Sequence, residues 1–265
     1  MKSCTYVILN PSGNLTALVT EWGGQADEAE ITRRLMKESE QVAYLEAPSL
    51  PGAVARLRLM GSEFCGNAAM AAAGWLVRDE LRPGAEITVP LEVSGAPNLV
   101  FCRLKGVRDG CFEGTVNMPP VTEILRMEIG GTELTAVRSE GILHLIREGA
   151  APLAPEEAEK LLREAAARVP DPAVGLLDRN PETGFTVPLV FVRAAGTLVR
   201  ETACGSGSAA IAAAEALRAG GKVSVPVPQP GGIIRAEAAA ENSAVTEVSI
   251  TGNVLIGEEA KRLAP

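Results

Sequence analysis

The sequence predicts an α/β (α+β) protein made of two similar, strand-rich halves, each with one apolar helix at its centre. Its 265 residues exceed one typical small domain. Residues 62–76 and 201–217 can be aligned without a gap, which makes them an internal repeat about half a chain apart. We expect an N-terminal domain over residues 1–119, to which residues 251–265 return, and a C-terminal domain over residues 120–250.

The first half is predicted to begin with a β-hairpin. Residues 5–9 and 15–20 have strand character, and the turn sequence NPSGN lies between them. A helix is expected over residues 26–38, where apolar side chains recur at helical spacing. Further strands, of which the last three suggest a meander, are predicted over residues 41–47, 54–60, 86–93, 99–104 and 111–116.

The second half follows the double proline at residues 119–120 and repeats this order of elements. An acidic helix over residues 154–169 ends at Pro170, and an Ala-rich helix covers residues 205–218. Strands are predicted over residues 135–138, 143–147, 188–194, 223–227, 233–239 and 244–250.

Charge and hydropathy exclude several classes of function. The net charge of −8 argues against a basic, phosphate-binding surface, so nucleic acid is not an expected partner. The longest apolar run, residues 68–77, is half the length of a membrane span. The short apolar stretch near the N-terminus lacks the length of a secretory signal. We therefore expect a cytoplasmic protein that does not enter a membrane.

The cysteines do not form a disulfide or zinc pattern. Five cysteines are an odd and sparse set, and reduced thiols are expected. There is no CxxC pair, and His144 is the only histidine, so sequence-local ligands cannot build a common zinc site. We expect neither a metal nor another cofactor. Three of the thiols lie in strand patterns and are given no role: Cys4, Cys102 and Cys111.

The repeat places Cys65 and Cys204 directly before the two apolar helices. Unpaired backbone N–H groups and the positive end of the helix dipole favour a thiolate there, with a pKa lowered from about 8.5 to roughly 3.5–7.5. The neighbouring N–H groups could bind an anion such as an amino-acid carboxylate, and they belong to Gly66, Asn67, Gly205 and Ser206. The alternative is that both cysteines are small buried hydrophobes, which the matched contexts disfavour.

Two thiols on opposite sides of one bound molecule suit stereoinversion. If the two domains face each other about a pseudo-twofold axis, both helix starts reach one cleft. One thiolate would then remove the Cα proton from one face while the other thiol delivers a proton to the opposite face. We therefore expect Cys65 and Cys204 to be a paired general base and general acid.

At these residues the chain resembles the diaminopimelate epimerase superfamily, whose members are racemases and epimerases that use two cysteines and no pyridoxal phosphate (PLP). The resemblance covers nearly the whole chain and rests on Gly13 and Asn14, on Gln41, and on the segments GSEFCGNA, ACGSGSAA and PGG. It implies two similar domains, each a barrel-like, mostly antiparallel sheet around a central helix. The prediction of the fold class therefore rests partly on this resemblance.

Departures from the superfamily pattern bear on the substrate. Where a Glu–Arg pair is expected before the second cysteine, this chain has Ala195 and Gly196, and the GNPH segment is replaced by residues 141–144. Diaminopimelate would leave its second charged end without evident partners. The branch of histidine racemases from staphylopine-type metallophore biosynthesis is more similar, through NPSGN, EQV, FCGNA, CGSG and QPGG. This resemblance implies a racemase of free amino acids, with histidine as the leading substrate.

Family correspondence also assigns secondary roles. Asn14 and Asn67 are expected to hold the substrate's carboxylate or ammonium group, and Gln41 to line the pocket. Glu201 is expected to contact the substrate, since the histidine racemase branch has Glu there. His144 either tunes a catalytic thiol or is an ordinary interior group, and the sequence leaves both open.

Two polar residues near these motifs have simpler interpretations. Glu63 is interpreted as favourable charge near a helix start. Ser12 is as well explained by a bond within its own turn as by a ligand contact, and the position of Asn14 after a glycine also suits mere conformational tolerance.

Three alternatives to a histidine racemase remain open. The same machinery could act on diaminopimelate or another amino acid. The chain could instead be an amino-acid-binding protein with vestigial cysteines, or its thiols could form a redox switch. In each reading of the site the expected partner is a small amino acid, and we allow for a homodimer.

Overall fold

The computed structural model describes residues 3–24, 27–193, 196–257 and 259–264. The chain divides into two compact units. The first unit comprises residues 1–117 and 251–265, and the second comprises residues 118–250. Both are sheet-rich with two helices each, which confirms the predicted α+β class.

The described residues of the first unit form nine strands or parts of strands and two helices. Its elements are β1 (Cys4–Pro11), β2 (Thr16–Glu21), α1 (Glu28–Leu35), β3 (Gln41–Glu46), β4 (Ala55–Leu59), α2 (Gly66–Leu76), β5 (Glu86–Val93), β6 (Val100–Arg108), β7 (Cys111–Asn117), the end of β16 (Ala244–Ile256) from Thr251 onward, and β17 (Lys261–Leu263). The predicted start of the first helix, Ala26, lies outside the described residues.

The strands of the first unit close around α2. They follow the order β7-β6-β5-β4-β3-β2-β1, and β16 pairs with both β7 and β1. Asn10 lies opposite Leu255, and the hydroxyl oxygens of Thr115 and Thr251 are 2.8 Å apart. Helix α2 is buried from Gly66 to Gly74 and contacts β1, β2, β5, β6 and β7. Its alanines keep the helix narrow enough for strands to approach from several sides.

Helix α1 covers the other face of the same sheet. Ile31 and Leu35 pack with Tyr6, Val19 and Tyr44 in a separate apolar cluster. Strands β2 and β3, which flank α1 in sequence, are parallel. A parallel pair needs a crossover connection, and α1 supplies it.

The second unit repeats the order of the first: a helix that covers the outside of the sheet comes first, and a buried central helix follows it. Its elements are β8 (Val121–Ile129), β9 (Thr132–Ser139), β10 (Ile142–Glu148), α3 (Pro155–Arg168), β11 (Ala173–Arg179), β12 (Thr186–Val192), β13 (Thr197–Arg200), α4 (Gly205–Ala219), β14 (Lys222–Gln229), β15 (Gly232–Glu241) and the first part of β16.

Helices α3 and α4 take the outer and inner positions of this unit. One sheet has the order β13-β12-β11-β10-β9-β8, and α3 joins the parallel strands β10 and β11. Leu161, Leu162 and Ala165 of α3 pack on this sheet. Helix α4 contacts β8, β9 and β10 of the sheet and also the antiparallel pair β14–β15. Pro155 begins α3, where its missing N–H costs nothing, and Pro170 follows its end.

Four strands were not predicted from the sequence: β8, β11, β13 and β17. Strands β8 and β13 are the two edges of their sheet and are largely half-exposed, so their apolar alternation is weak. Strand β11 is buried on both faces from Ala173 to Asp178, which removes alternation altogether. Strand β16 continues six residues beyond its predicted end at Ile250.

No helix in the described part of the chain combines the length and the apolar character that a membrane crossing requires.

Candidate active site

Each repeat cysteine caps its helix, as predicted. Cys65 has an extended backbone, with φ −136° and ψ 110°, and α2 begins at the next residue. Cys204 has φ −110° and ψ 109°, and α4 begins directly after it. The backbone N–H of Ala68 donates to Cys65 Sγ at 3.4 Å, and that of Gly207 donates to Cys204 Sγ at 3.4 Å. Both sulfurs therefore act as N-cap acceptors, which holds them at the positive end of the helix.

Cys204 lies in a polar cluster of the second unit, in which Cys204 and His144 are buried and Ser206 and Glu201 are half-buried. Ser206 Oγ is 3.5 Å from Cys204 Sγ, and His144 Nε2 is 2.9 Å from Ser206 Oγ. The Glu201 carboxylate also hydrogen-bonds the Cys204 thiol. The structure thus brings together four of the predicted residues and does so within one unit.

The prediction of an easily ionised thiol is wrong for Cys204. Burial and the negative charge of Glu201 raise the pKa of the Cys204 thiol well above its usual range, and hydrogen bonds from Ser206 and Gly207 offset this only in part. A helix start favours the thiolate, but the loss of solvent around a group only 4% exposed outweighs it. Burial therefore favours the thiol form of Cys204 over the thiolate in the free protein.

His144 acts on Cys204 through Ser206 rather than directly. The imidazole is 1% exposed, and its Nδ1 atom has no hydrogen-bond partner among the described residues. A buried N–H without an acceptor would cost free energy, so the proton belongs on Nε2, which donates to Ser206 Oγ. The Ser206 hydroxyl can then donate to Cys204 Sγ. Gly175 lies opposite His144 on β11, and a Cβ there would overlap Nδ1.

The burial of His144 predicts a pH-dependent stability. Burial lowers the pKa of His144 to about 4, from 6.5. Between these values the unfolded chain binds a proton that the folded chain does not bind, so stability is lost as the pH falls below 6.5. Urea unfolding of the wild type should show a loss of about 2 kcal/mol between pH 7 and pH 5.

His144→Gln is the matched variant, because the chain has no other histidine. Protonation of carboxylates changes the free energy of unfolding equally in both proteins. The free energy of unfolding of the variant should therefore fall by about 2 kcal/mol less than that of the wild type over the same interval. Equal losses in the two proteins would show that His144 is not neutral and buried.

Asn14 and Gln41 form a second polar cluster, in the first unit. Gln41 Nε2 donates to Asn14 Oδ1 at 2.6 Å and to Thr16 Oγ1 at 2.7 Å, while Asn14 Nδ2 donates to Glu40 Oε2 at 2.9 Å. Asn14 is 3% exposed and does not have a positive φ, so conformational tolerance does not explain it. The amide of Gln41 is used to orient Asn14.

This cluster lies at the end of β3 that faces the Cys65 loop. Ala43 pairs with Leu59 on β4, and the Met60 N–H donates to Val42 O. Continuing this antiparallel register places Gln41 beside residue 61, four residues before Cys65. Asn67 is buried in the first turn of α2, two residues after Cys65.

Glu63 and Ser12 differ from their simpler sequence interpretations. The Glu63 carboxylate accepts the N–H groups of Glu63 and Gly61 rather than those of α2, and burial raises its pKa. Its hydrogen bonds are therefore made within the loop before Cys65 and not to the start of α2. Ser12 donates from Oγ to Asn253 O at 3.3 Å, on β16, so its bond is not within its own turn.

Sequence reasoning missed two residues that hold the backbone of Cys204. Gln229 Oε1 accepts the Cys204 N–H at 2.7 Å, and Ser208 Oγ donates to Cys204 O at 2.8 Å. The sequence signal for Gln229 is the QPGG segment, of which it is the first residue.

The remaining positions lie outside this cluster or outside the described residues. All five cysteines are free thiols, and Cys4, Cys102 and Cys111 are buried in strands. Among the described residues there is no group of three or more His, Cys, Asp or Glu that could hold a metal ion. Ala195, a position used to argue against diaminopimelate, lies outside the described residues.

Comparison with known proteins supports an isomerase. The chain is 29% identical over 213 residues to a histidine racemase of Staphylococcus aureus, which covers 76% of each chain. A histidine racemase of Fusobacterium nucleatum is 25% identical over 216 residues, with 78% of each chain covered. The fold matches that of a hydroxyproline epimerase from Agrobacterium vitis with a TM-score of 0.71 at 15% identity, covering 100% of this chain and 93% of the other.

The two histidine racemases, together with the family match over nearly the whole chain, make the protein an isomerase of the amino-acid racemase and epimerase type. The sequence profile of one family, described as "Histidine racemase CntK N-terminal domain", matches residues 3–262. The chain belongs to that histidine racemase family.

Proposed function

We propose that this enzyme interconverts L- and D-histidine without PLP, with Cys65 and Cys204 as the two acid–base groups. The observation that carries the proposal is the matched pair of cysteines, each the N-cap of a buried Ala-rich helix whose third-residue N–H donates to the sulfur. Helix starts stabilise negative charge on the sulfur and on a nearby carboxylate. Membership of the histidine racemase family supports the substrate.

In the proposed reaction one thiolate takes the Cα proton of the amino acid, and the electron pair moves into the carboxylate. The second thiol then delivers its proton to the opposite face of Cα, which inverts the centre. The raised pKa of Cys204 supports a protonated thiol, so Cys204 is the acid in one direction and Cys65 the base. In the reverse direction the two roles are exchanged, and no other reactant is consumed.

The substrate is held by polar groups at the helix starts and beside them. The N–H groups of the first helical residues have no intrahelical acceptor and suit the α-carboxylate and the charge that develops on it. Asn14 and Asn67, with Gln41 orienting the first of them, are proposed to hold the amino-acid end. Glu201, beside Cys204, is proposed to face the ammonium group. The complete proposed set of binding residues is Asn14, Gln41, Gly66, Asn67, Glu201, Gly205 and Ser206.

The test is a panel of L-amino acids, including L-histidine and diaminopimelate, incubated with enzyme that has been treated with hydroxylamine to remove any PLP. Chiral chromatography should show D-histidine formed, with histidine turned over faster than the other amino acids. Faster turnover of another amino acid would overturn the substrate assignment. Binding of histidine without any change in its chirality, or activity only after PLP is restored, would overturn the mechanism.

A further inference from the structure

Each central helix is followed by a strand whose last residues turn back onto the segment before the cysteine. In the second unit this strand is β14, and the turn to β15 consists of Pro230 and Gly231 between the paired residues Gln229 and Gly232. In the first unit the strand is β5, and the turn begins at Ser94 and Gly95. The two turns occupy equivalent places after the two halves of the internal repeat.

In the second unit, residues at and near this turn hold both backbone hydrogen-bonding groups of Cys204, its N–H and its carbonyl oxygen. Gln229 Oε1 accepts the Cys204 N–H at 2.7 Å, and Gln229 Nε2 donates to Ser208 Oγ at 2.9 Å. The Ser208 hydroxyl in turn donates to Cys204 O at 2.8 Å, which closes a ring of three hydrogen bonds. Gly231 N–H adds a bond to Thr202 O at 2.8 Å.

The members of this ring have little freedom to move. Gln229 is 5% exposed and Ser208 is 1% exposed. Buried hydrogen bonds are costly to break because the freed groups find no water. The ring therefore restricts the backbone of Cys204 and, with the Gly207 N–H bond to sulfur, the direction of its side chain.

In the first unit a different side chain performs the same task. Ser94 Oγ donates to Glu63 O at 2.8 Å and accepts the Leu59 N–H at 3.0 Å, so it joins the end of β4 to the residues before Cys65. Gly95 has φ +73°, and a Cβ there would overlap Phe64 N. The turn thus lies directly against the backbone next to Cys65.

We propose that these turns position the two sulfurs for proton transfer. Gln229 is the positioning residue for Cys204, and Ser94 is the positioning residue for Cys65. The inference rests on the proposed function, because it assumes that both sulfurs exchange protons with the substrate. Proton transfer requires close alignment, and a displacement of about 1 Å can cost on the order of 10²-fold in rate. Neither residue need contact the substrate.

The test is steady-state racemisation of L-histidine by Gln229→Met, which keeps the length of the side chain and removes its hydrogen bonds. We expect kcat to fall about 10- to 100-fold, with KM within about threefold of the wild type, because binding groups remain in place. Ser94→Ala should lower kcat about 3- to 10-fold for the same reason. Thr186→Val is the matched control, since it removes a buried hydroxyl whose one hydrogen bond within the described part of the chain goes to Gly184 O, and it should leave kcat unchanged.

Several outcomes separate this inference from the proposed function. A kcat for Gln229→Met within twofold of the wild type, or an equal loss in Thr186→Val, would overturn the positioning role. If Gln229→Met does not fold, Ser208→Ala serves instead, since the Ser208 N–H bond to Cys204 O remains and kcat should still fall several-fold. Full turnover by Cys204→Ala would instead overturn the proposed function itself.

Discussion

Replacing either Cys65 or Cys204 by alanine is expected to lower kcat for histidine by about 10³-fold or more, in both directions of the reaction. Each turnover needs one sulfur to accept a proton and the other to donate one, so neither thiol can compensate for the other. Because the equilibrium between enantiomers is fixed, a variant cannot lose one direction alone. Chiral chromatography started separately from L- and D-histidine measures both rates.

Cys102→Ala is the matched control for this experiment. Cys102 is also a buried free thiol, on β6, and burial raises its pKa to about 12. It has no helix after it and should keep wild-type turnover. Thermal midpoints of all three variants should stay within a few degrees of each other, since each loses one sulfur that is at least half-buried. A Cys65 or Cys204 variant that retains a tenth of the activity would remove that residue from the mechanism.

Gly74→Ala is expected to give the largest loss of stability, about 3 kcal/mol, by overpacking the core of the first unit. Gly74 is in the buried stretch of α2, and a Cβ there would overlap the ring of Phe112 on β7. Phe112 is 1% exposed, so its ring cannot turn out to solvent without moving the strand. The helix that holds Cys65 would shift, and the thermal midpoint should fall by roughly 6–12 °C.

Gly221→Ala tests whether this loss comes from the contact or from the change of residue type. A Cβ at Gly221 would have no atom within 4 Å, so the variant should unfold within about 2 °C of the wild type. Differential scanning calorimetry compares both variants. A Gly74→Ala protein as stable as Gly221→Ala would show that α2 and β7 are not packed closely at this position.

The sequence was most informative where patterns were strong and local. The β1–β2 hairpin was predicted, the bounds of α3 and α4 were predicted to within one residue, and the start of α2 directly after Cys65 was predicted as well. Three of the strands that were missed are the edge strands β8 and β13 and the strand β11, which is buried on both faces. Apolar and polar residues alternate only in a strand with one solvent-exposed face and one buried face.

The candidate site shows a similar division. The positions of Cys65 and Cys204 at helix starts follow directly from the repeat, because Gly and a short polar residue next to an apolar run predict a helix start. The role of Gln229 depends on a contact made across 25 residues, which no local pattern encodes. Ser208 bonds the Cys204 carbonyl four residues back, a local bond that many helix serines make, so its sequence position alone does not mark it as special. The raised pKa of Cys204 depends on burial and on Glu201, which only the packed structure reveals.

The central claim is that one sulfur serves each face of Cα. It is tested most directly by hydrogen exchange in D₂O with the two variants in which one of these cysteines is replaced by alanine. Proton NMR of the Cα position should show that Cys65→Ala and Cys204→Ala no longer invert histidine. Each should still exchange the Cα hydrogen of one enantiomer, and the two variants should act on opposite enantiomers, since the remaining thiol reaches only one face. Exchange of both enantiomers by one variant, or of the same enantiomer by both, would contradict the account.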